Sequence, residues 1–284
     1  MDAQLVGALL SPVVLALLGL CIGSFLNVVI HRLPLMLERG WKADSAEMLG
    51  LTPEPPSEPL SLSTPRSRCP SCGHRIAWRE NIPVASYLWL RGKCSACKTA
   101  ISPRYPLIEL LTGVLFAAIG WRFGATLTAL LWCGFAAVLV ALASIDWDTT
   151  LLPDNLTLPL LWAGLVASAL GWTIPLPDAL WGAVAGYLSL WSVYWLFKLT
   201  TGKEGMGFGD FKLLAALGAW LGLKMVLPVV LAASVLGAIV GIVMKMSSSL
   251  REGRYVPFGP FLAGAGLVVL LAGQARVLGW LGWA

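Results

Sequence analysis

Long runs of apolar residues with almost no charge recur along the chain and predict membrane-spanning helices. A helix needs about 20 mainly apolar residues to cross the hydrocarbon layer of a bilayer, which is about 30 Å thick. Polar segments with Gly, Pro and basic residues separate the runs and predict loops. The pattern indicates eight spans, at residues 5–30, 106–121, 125–145, 156–173, 179–197, 211–223, 225–244 and 257–275.

Charged residues mark the two shortest runs. Glu109 lies near the start of the second and Lys212 near the start of the sixth, where each is expected to reach the interface or protein-lined water. The first run follows a segment without a basic residue and precedes no small-residue cleavage pattern, so we interpret it as a retained span.

The composition supports the same class of protein. Hydrophobic residues make up 57% of the chain and charged residues 12%, which is far from the composition of ordinary soluble domains. The predicted fold class is therefore an all-α polytopic membrane protein with about eight transmembrane helices. Membrane lipid is an expected partner and nucleic acid is not.

The distribution of Lys and Arg predicts the orientation, because cytoplasmic loops near span ends retain positive charge. Eleven of these residues lie in 31–105. Six more fall on the same predicted side, namely Lys198, Lys203, Lys212, Lys245, Arg251 and Arg254. Three fall on the other side, namely Arg122, Lys224 and Arg276. The segment 31–105 is therefore predicted to be cytoplasmic, with both termini on the outer side.

These boundaries divide the chain into a first transmembrane helix at 1–30, a cytoplasmic insert at 31–105 and a membrane-embedded domain at 106–284. Within the insert, 36–65 is rich in Pro, Ser and Glu and predicts a flexible linker. The remainder, 66–104, contains a cysteine motif.

The cysteine motif consists of two CxxC pairs, Cys69 with Cys72 and Cys94 with Cys97. Each pair can direct two sulfurs at one ion, so the spacing predicts a small four-cysteine zinc-binding insert. Disulfides or redox dithiols are the alternative, although cytoplasmic thiols are mostly kept reduced. Four protein ligands leave no open coordination position, which favours a structural role for zinc.

The other cysteines and the histidines are assigned no chemistry. Cys21 and Cys133 lie inside apolar runs and are expected to be packing residues. His31 follows the first span, and His74 follows the first cysteine pair, where it could only be a spare ligand.

Two aspartates stand at the membrane edge. Asp146 ends the apolar run 125–145, and Asp210 follows Gly207-Phe208-Gly209 and precedes another run. A carboxylate beside hydrocarbon is costly, so a functional site on the cytoplasmic side is expected here. Asp148 is an alternative to Asp146 that the residues alone do not exclude, whereas Asp154 is expected to stabilise a helix N-terminus.

Several motifs in one order give a family resemblance. They are residues 23–34, the four cysteines, residues 145–154 and residues 207–213. With them the chain resembles the type IV prepilin peptidases, the GxGD class of membrane aspartic proteases. The resemblance implies that Asp146 and Asp210 are the catalytic pair.

The resemblance also implies a bifunctional enzyme in the inner membrane of a bacterium. It would cleave the leader of type IV prepilins and type II secretion pseudopilins and then methylate the new N-terminal amine with S-adenosylmethionine. The sequence contains no Gly-rich nucleotide fingerprint, so its methyl-donor contacts are unassigned. The region around Arg91-Gly92-Lys93 is where we look for them.

Two carboxyls held close together can perform the hydrolysis without a metal or a nucleophilic side chain. Both cannot ionise cheaply, so one keeps a proton while the other activates water. The alternatives are a peptidase without methylation, a proton-coupled secondary transporter and a noncatalytic assembly factor. A transporter is disfavoured because the acids cluster at one membrane edge and no repeat relates the halves.

Overall fold

The computed structural model describes residues 7–51, 59–247 and 256–283. Within these ranges the regular structure is helical and contains no strand, which confirms the all-α prediction. A short 3-10 helix spans Trp78–Asn81. The α-helices are α1 (Pro12–Met48), α2 (Ala85–Trp89), α3 (Arg104–Phe123), α4 (Leu127–Thr149), α5 (Asp154–Ala169), α6 (Leu176–Thr201), α7 (Phe208–Leu221), α8 (Leu223–Met246), α9 (Gly259–Ala272) and α10 (Gln274–Trp280).

The prediction of about eight spans is not confirmed. In the described part of the chain, five helices are long and apolar enough to cross a membrane: α1, α3, α4, α6 and α8. The bent pair α9 and α10, with a 109° angle between them, would make six. Helices α5 and α7 have 16 and 14 residues, and at 1.5 Å per residue they reach only about 24 and 21 Å. They are apolar, but they are shorter than the hydrocarbon layer.

The first helix differs in length from the sequence-based prediction. It continues to Met48, so residues 36–48 of the predicted linker are helical. An i,i+4 ion pair of 2.7 Å between Glu38 and Lys42 supports this extension. Residues 52–58 of the predicted linker, the first two residues of the first predicted span, and Arg251 and Arg254 lie outside the described residues.

The chain forms two compact units, Met1–Ala137 and Val138–Ala284, and the boundary falls inside α4. In the first unit, α1 packs closely against α3. A Cβ added to Gly19 would lie 2.7 Å from the Thr112 carbonyl oxygen, and one added to Gly23 would lie 2.7 Å from Cα of Glu109. Small residues on α1 thus allow the two backbones to approach, as is common in membrane helix pairs.

Helix α7 is at the centre of the second unit. Every residue from Asp210 to Leu221 except Lys212 is buried. Gly218 on α7 meets Gly182 on α6, where neither position has room for a side chain. The indole N–H of Trp220 donates to the Leu160 carbonyl on α5 at 2.8 Å. This packing holds α7, the helix whose first turn carries Asp210.

Candidate active site and metal centre

Asp146 occupies the last turn of α4, and its side chain is buried. Its Oδ2 accepts a 2.9 Å hydrogen bond from the backbone N–H of Gly259, the first residue of α9. The first N–H groups of a helix have no partner inside the helix and lie at the positive end of its dipole. Asp146 is therefore held by a helix N-terminus that lies 113 positions further along the chain.

Asp210 lies in the first turn of α7, three residues after the N-cap Gly207. It is also buried, and its Oδ1 has no hydrogen-bond partner among the residues that the structure describes. The two carboxyls are close enough to interact electrostatically. The structure thus brings together the two aspartates that the sequence singled out.

Glycine is required at two positions beside these acids. A Cβ on Gly209 would lie 2.7 Å from Cβ of Leu152. A Cβ on Gly259 would lie 2.6 Å from Asp146 Oδ2 and 3.2 Å from Cδ1 of Leu152. Leu152 therefore packs against both glycines, and a side chain at either one would disturb the carboxyl pair.

Sequence reasoning missed Gly259 and Leu152. The available signal was the placement of Gly259 between Phe258 and Pro260 directly before an apolar run. Pro in the first turn favours a helix start. That pattern predicts a helix N-terminus, but it does not reveal which side chain the N-terminus contacts.

The other candidate acids lie elsewhere. Asp148 is exposed. Asp154 begins α5, as predicted, but its carboxylate contacts the Lys212 ammonium with both oxygens at 2.7 Å. Lys212 follows Asp210 by two residues, so this ion pair joins the start of α5 to the second turn of α7.

Aromatic rings line the chain beside Asp210. Phe208 is about half exposed, and its ring centroid lies 5.2 Å from that of Tyr194 and 5.3 Å from that of Phe211. The Lys198 ammonium contacts the Tyr194 hydroxyl at 3.1 Å and the Glu204 carboxylate at 2.8 Å. The Gly-rich loop before α7 is therefore tied to α6 by an ion pair through Glu204.

The four cysteines of the insert converge in the first unit. Their sulfur atoms all lie within 4.8 Å of one another, and Sγ of Cys69 lies 3.8 Å from Sγ of Cys97. Zinc–sulfur bonds of about 2.3 Å in a tetrahedron place neighbouring sulfurs about 3.8 Å apart. The cluster is thus compatible with zinc, and none of its cysteines forms a disulfide.

The two cysteine pairs adopt the same local fold. The Cys69 N–H donates to the His74 carbonyl at 2.9 Å, and the Cys94 N–H donates to the Thr99 carbonyl at 2.8 Å. Gly73 and Lys98, at equivalent places after each second cysteine, have positive φ angles of 72° and 61°. Each turn directs two sulfurs to a common point.

Hydrogen bonds prepare these thiols for ionisation. The N–H groups of Cys72 and Ser71 lower the pKa of Cys69. The hydroxyl and N–H of Thr99 lower the pKa of Cys97 to about 6. The N–H of His74 also lowers the pKa of Cys72, but hydrogen bonds with Cys97 and the other thiols outweigh it and raise that pKa to about 11. A cation bound between the sulfurs would stabilise all four thiolates, so the thiols would no longer raise one another's pKa.

Glu80 connects the two cysteine turns. Its carboxylate contacts His74 Nε2 at 3.2 Å and accepts a 2.8 Å hydrogen bond from the Ala77 N–H. The hydroxyl of Ser95 in the second turn, the Ala77 N–H and His74 lower the pKa of Glu80 to about 2. His74 therefore pairs with a carboxylate.

The motif at residues 23–34 anchors the insert. Asn27 on α1 donates to the Tyr105 carbonyl at 3.1 Å, and the Arg32 guanidinium donates to the Ser61 and Pro65 carbonyls at 2.9 and 2.6 Å. Glu109 on α3 is buried and accepts a 2.7 Å hydrogen bond from the Val84 N–H. The carboxylate of Glu109 therefore has a partner within the insert.

Apolar helices that carry two buried aspartates within electrostatic reach of each other have the arrangement of a membrane aspartic protease. Residues 17–123 match the model of the bacterial peptidase A24 N-terminal domain, and residues 133–242 match that of the type IV leader peptidase family. The chain belongs to the type IV leader peptidase family.

Curated relatives agree over nearly their whole length. A prepilin leader peptidase/N-methyltransferase of Pseudomonas aeruginosa is 55% identical over 258 residues, covering 91% of this chain and 89% of the relative. Proteins of the same name from Stutzerimonas stutzeri and Aeromonas hydrophila are 53% and 54% identical, covering 94% and 91% of this chain and 92% and 90% of the relatives. No solved structure matches the chain significantly.

Proposed function

We propose that this protein is a bifunctional enzyme of the bacterial inner membrane that cleaves the leader of prepilins and pseudopilins and then methylates the new N-terminal amine. The convergence of Asp146 and Asp210 supports the peptidase activity. The shared name of the relatives supports both activities.

In the proposed peptidase reaction, the two carboxyls share one proton. The ionised member removes a proton from water, whose oxygen bonds to the scissile carbonyl carbon, while the protonated member donates to the carbonyl oxygen. The carbon–nitrogen bond then breaks, and the amine nitrogen takes the proton that came from water. Burial of both side chains excludes bulk water from this exchange.

We place the reaction at the cytoplasmic edge of the membrane. Most basic residues fall on the side that contains the insert and the loops beside both aspartates, and positive charge is retained on the cytoplasmic side. A site there reaches a peptide bond that immediately precedes an apolar helix. A prepilin, with a short basic leader before a hydrophobic helix, presents such a bond.

We further propose that Cys69, Cys72, Cys94 and Cys97 bind one structural zinc ion. The sulfur geometry and the hydrogen bonds that favour thiolates support this assignment. When bound, the ion links the two cysteine turns and takes no part in proteolysis. The fold of the insert then depends on metal, because the insert has little apolar core of its own.

S-adenosylmethionine is the proposed methyl donor and is consumed as a substrate. The segment Arg91-Gly92-Lys93 is a candidate for its recognition because its backbone is unusual. Arg91 and Gly92 both have positive φ angles, of 53° and 66°, and a Cβ on Gly92 would lie 2.9 Å from the Tyr87 hydroxyl oxygen. This turn exposes two basic side chains, Arg91 and Lys93, next to the second cysteine pair.

Mass spectrometry of a prepilin-like peptide incubated with the purified enzyme tests both activities. Without S-adenosylmethionine we expect cleavage at one bond, and with it we expect the mature fragment to gain one methyl group. Asp146→Asn and Asp210→Asn should each lower cleavage strongly while the protein still folds. Cleavage without methylation would show that the protein is a peptidase without methyltransferase activity. Solute flux that depends on either aspartate would favour a transporter.

A further inference from the structure

The two carboxyls of the proposed pair have different surroundings. Asp146 Oδ2 accepts a 2.9 Å hydrogen bond from the Gly259 N–H at the start of α9. A backbone N–H can only donate, and the N-terminal end of a helix favours negative charge. This side of the pair is built for a carboxylate.

Asp210 also lies in the first turn of a helix, α7, where its carboxyl interacts with the backbone of Gly207. It differs from Asp146 in one oxygen. Its Oδ1 is buried, and no described residue forms a hydrogen bond with it. A buried carboxylate oxygen without a partner is costly, whereas a protonated carboxyl can use that oxygen as a donor once a substrate carbonyl arrives. This side of the pair is suited to hold the proton.

We infer that Gly259 is a positioning residue whose backbone N–H holds Asp146 as the ionised base, which leaves Asp210 as the proton-bearing acid. This inference rests on the proposed peptidase function. Asp146 would take the proton from water and later give it to the leaving amine nitrogen. Asp210 would donate its proton to the carbonyl oxygen and recover it from the hydroxyl group when the carbon–nitrogen bond breaks, so both side chains return to their starting states.

The space around Gly259 leaves no room for a side chain at this position. A Cβ would lie 2.6 Å from Asp146 Oδ2, which is too close unless the carboxylate moves. The Cδ1 atom of Leu152 would lie 3.2 Å from the same Cβ, so the Cβ cannot move away from the carboxylate toward Leu152. An alanine at 259 would therefore displace the base and lengthen its hydrogen bond.

The other charged groups near the pair are few in the described structure. Asp210 on α7 interacts with Asp146 electrostatically. Lys212 on α7 and Asp154 on α5 neutralise each other at 2.7 Å. Asp148 follows Asp146 by two residues on α4 and is exposed. Both carboxyls interact with backbone groups at a helix N-terminus, Asp146 with Gly259 and Asp210 with Gly207. The contrast between them therefore comes from the buried Asp210 Oδ1, which has no partner among the described residues.

Alanine substitutions in α9 test the role of Gly259, with kcat and KM measured separately on a prepilin-like peptide. We expect Gly259→Ala to lower kcat about 100-fold with KM nearly unchanged, because a displacement of about 1 Å at a reacting group costs that much. The acidic limb of its pH–rate profile should move to higher pH, because that limb reports the base.

The same helix supplies two controls. A Cβ on Gly266 would lie 2.6 Å from Cδ2 of Leu217, so Gly266→Ala imposes a comparable packing clash away from the acids. A Cβ on Gly264 would meet nothing within 4 Å, so Gly264→Ala should behave as wild type. Thermal unfolding of all three variants separates loss of stability from loss of kcat. If Gly259→Ala and Gly266→Ala lower kcat equally, the positioning role is refuted.

Asparagine substitutions test the assignment of base and acid. Asn at 210 can still donate a hydrogen bond to the developing oxyanion, and Asp146 remains as base, whereas Asn at 146 leaves no base. Asp210→Asn should retain at least about tenfold more residual cleavage than Asp146→Asn. The pH–rate profile of Asp210→Asn should lack the basic limb, because that limb reports the acid. The reverse order would overturn the inference. Wild-type activity in both variants would instead refute the proposed peptidase site.

Discussion

Leu152 occupies the space that a side chain on residue 209 would need, because a Cβ added to Gly209 would lie 2.7 Å from its Cβ. At Gly207 the nearest atom to an added Cβ is the Gly209 nitrogen, at 3.9 Å. The two glycines that precede Asp210 therefore have different roles. Gly209 permits close packing beside the acid, and Gly207 is the N-cap of α7.

We predict that Gly209→Ala lowers kcat/KM on a prepilin-like peptide about 100-fold, because the clash shifts the turn that carries Asp210. Gly207→Ala should retain most of the activity, since its φ of −84° is open to any residue. The comparison needs only the two purified variants and one peptide. Equal losses in both would contradict the packing explanation.

The ion pair between Lys212 and Asp154 should stabilise the start of α7. Both residues are partly exposed, with side-chain exposures of 29% and 51%, so solvent screens the interaction. A double-mutant cycle with Lys212→Met and Asp154→Asn should give a coupling of about 0.5–1 kcal/mol in the free energy of unfolding. Additive effects of the two substitutions would show that the pair contributes nothing.

The cysteine cluster predicts a metal content that can be measured directly. Elemental analysis of purified protein should find about one zinc ion per chain. Cys69→Ser or Cys94→Ser should lower that content, because each removes one thiolate from the set. Cys21→Ser is the matched control and should not change it, since Cys21 lies on α1 outside the cluster. Full zinc retention in both cluster variants would contradict the site.

Glu109 should hold the insert against the membrane helices. Glu109→Ala removes the acceptor of the partly buried Val84 N–H, and the loss of such a hydrogen bond costs about 1 kcal/mol. We expect faster limited proteolysis of residues 59–103 in this variant. Glu109→Gln keeps a carbonyl oxygen at the same place and should protect the segment nearly as well as wild type. Equal cleavage rates for Glu109→Ala and wild type would argue against this anchor.

The sequence allowed prediction of the parts that depend on unusual residue types. Aspartates beside apolar runs and paired CxxC motifs stand out against a chain that is 57% hydrophobic. Asp210 and the four cysteines could be named for that reason, whereas the choice of Asp146 over Asp148 came from the family resemblance. The catalytic roles of the two aspartates stay predictions.

The parts that depend on distant backbone contacts could not be predicted. The hydrogen bond from Gly259 to Asp146 joins residues 113 positions apart, and no local pattern specifies it. The predicted number of spans is not confirmed, because apolar composition does not show where a helix ends. Helix α7 stops at Gly222, which has a φ of 83°, and reaches only 14 residues.

The most direct test of the central claim is a structure of the enzyme with a prepilin-like peptide in which a hydroxyl-bearing carbon replaces the scissile carbonyl carbon. Such a group imitates the tetrahedral intermediate. We expect the hydroxyl oxygen to lie about 2.6–3.2 Å from a carboxyl oxygen of both Asp146 and Asp210. A hydroxyl that contacts only one of these carboxyls, or a peptide bound away from both, would contradict it.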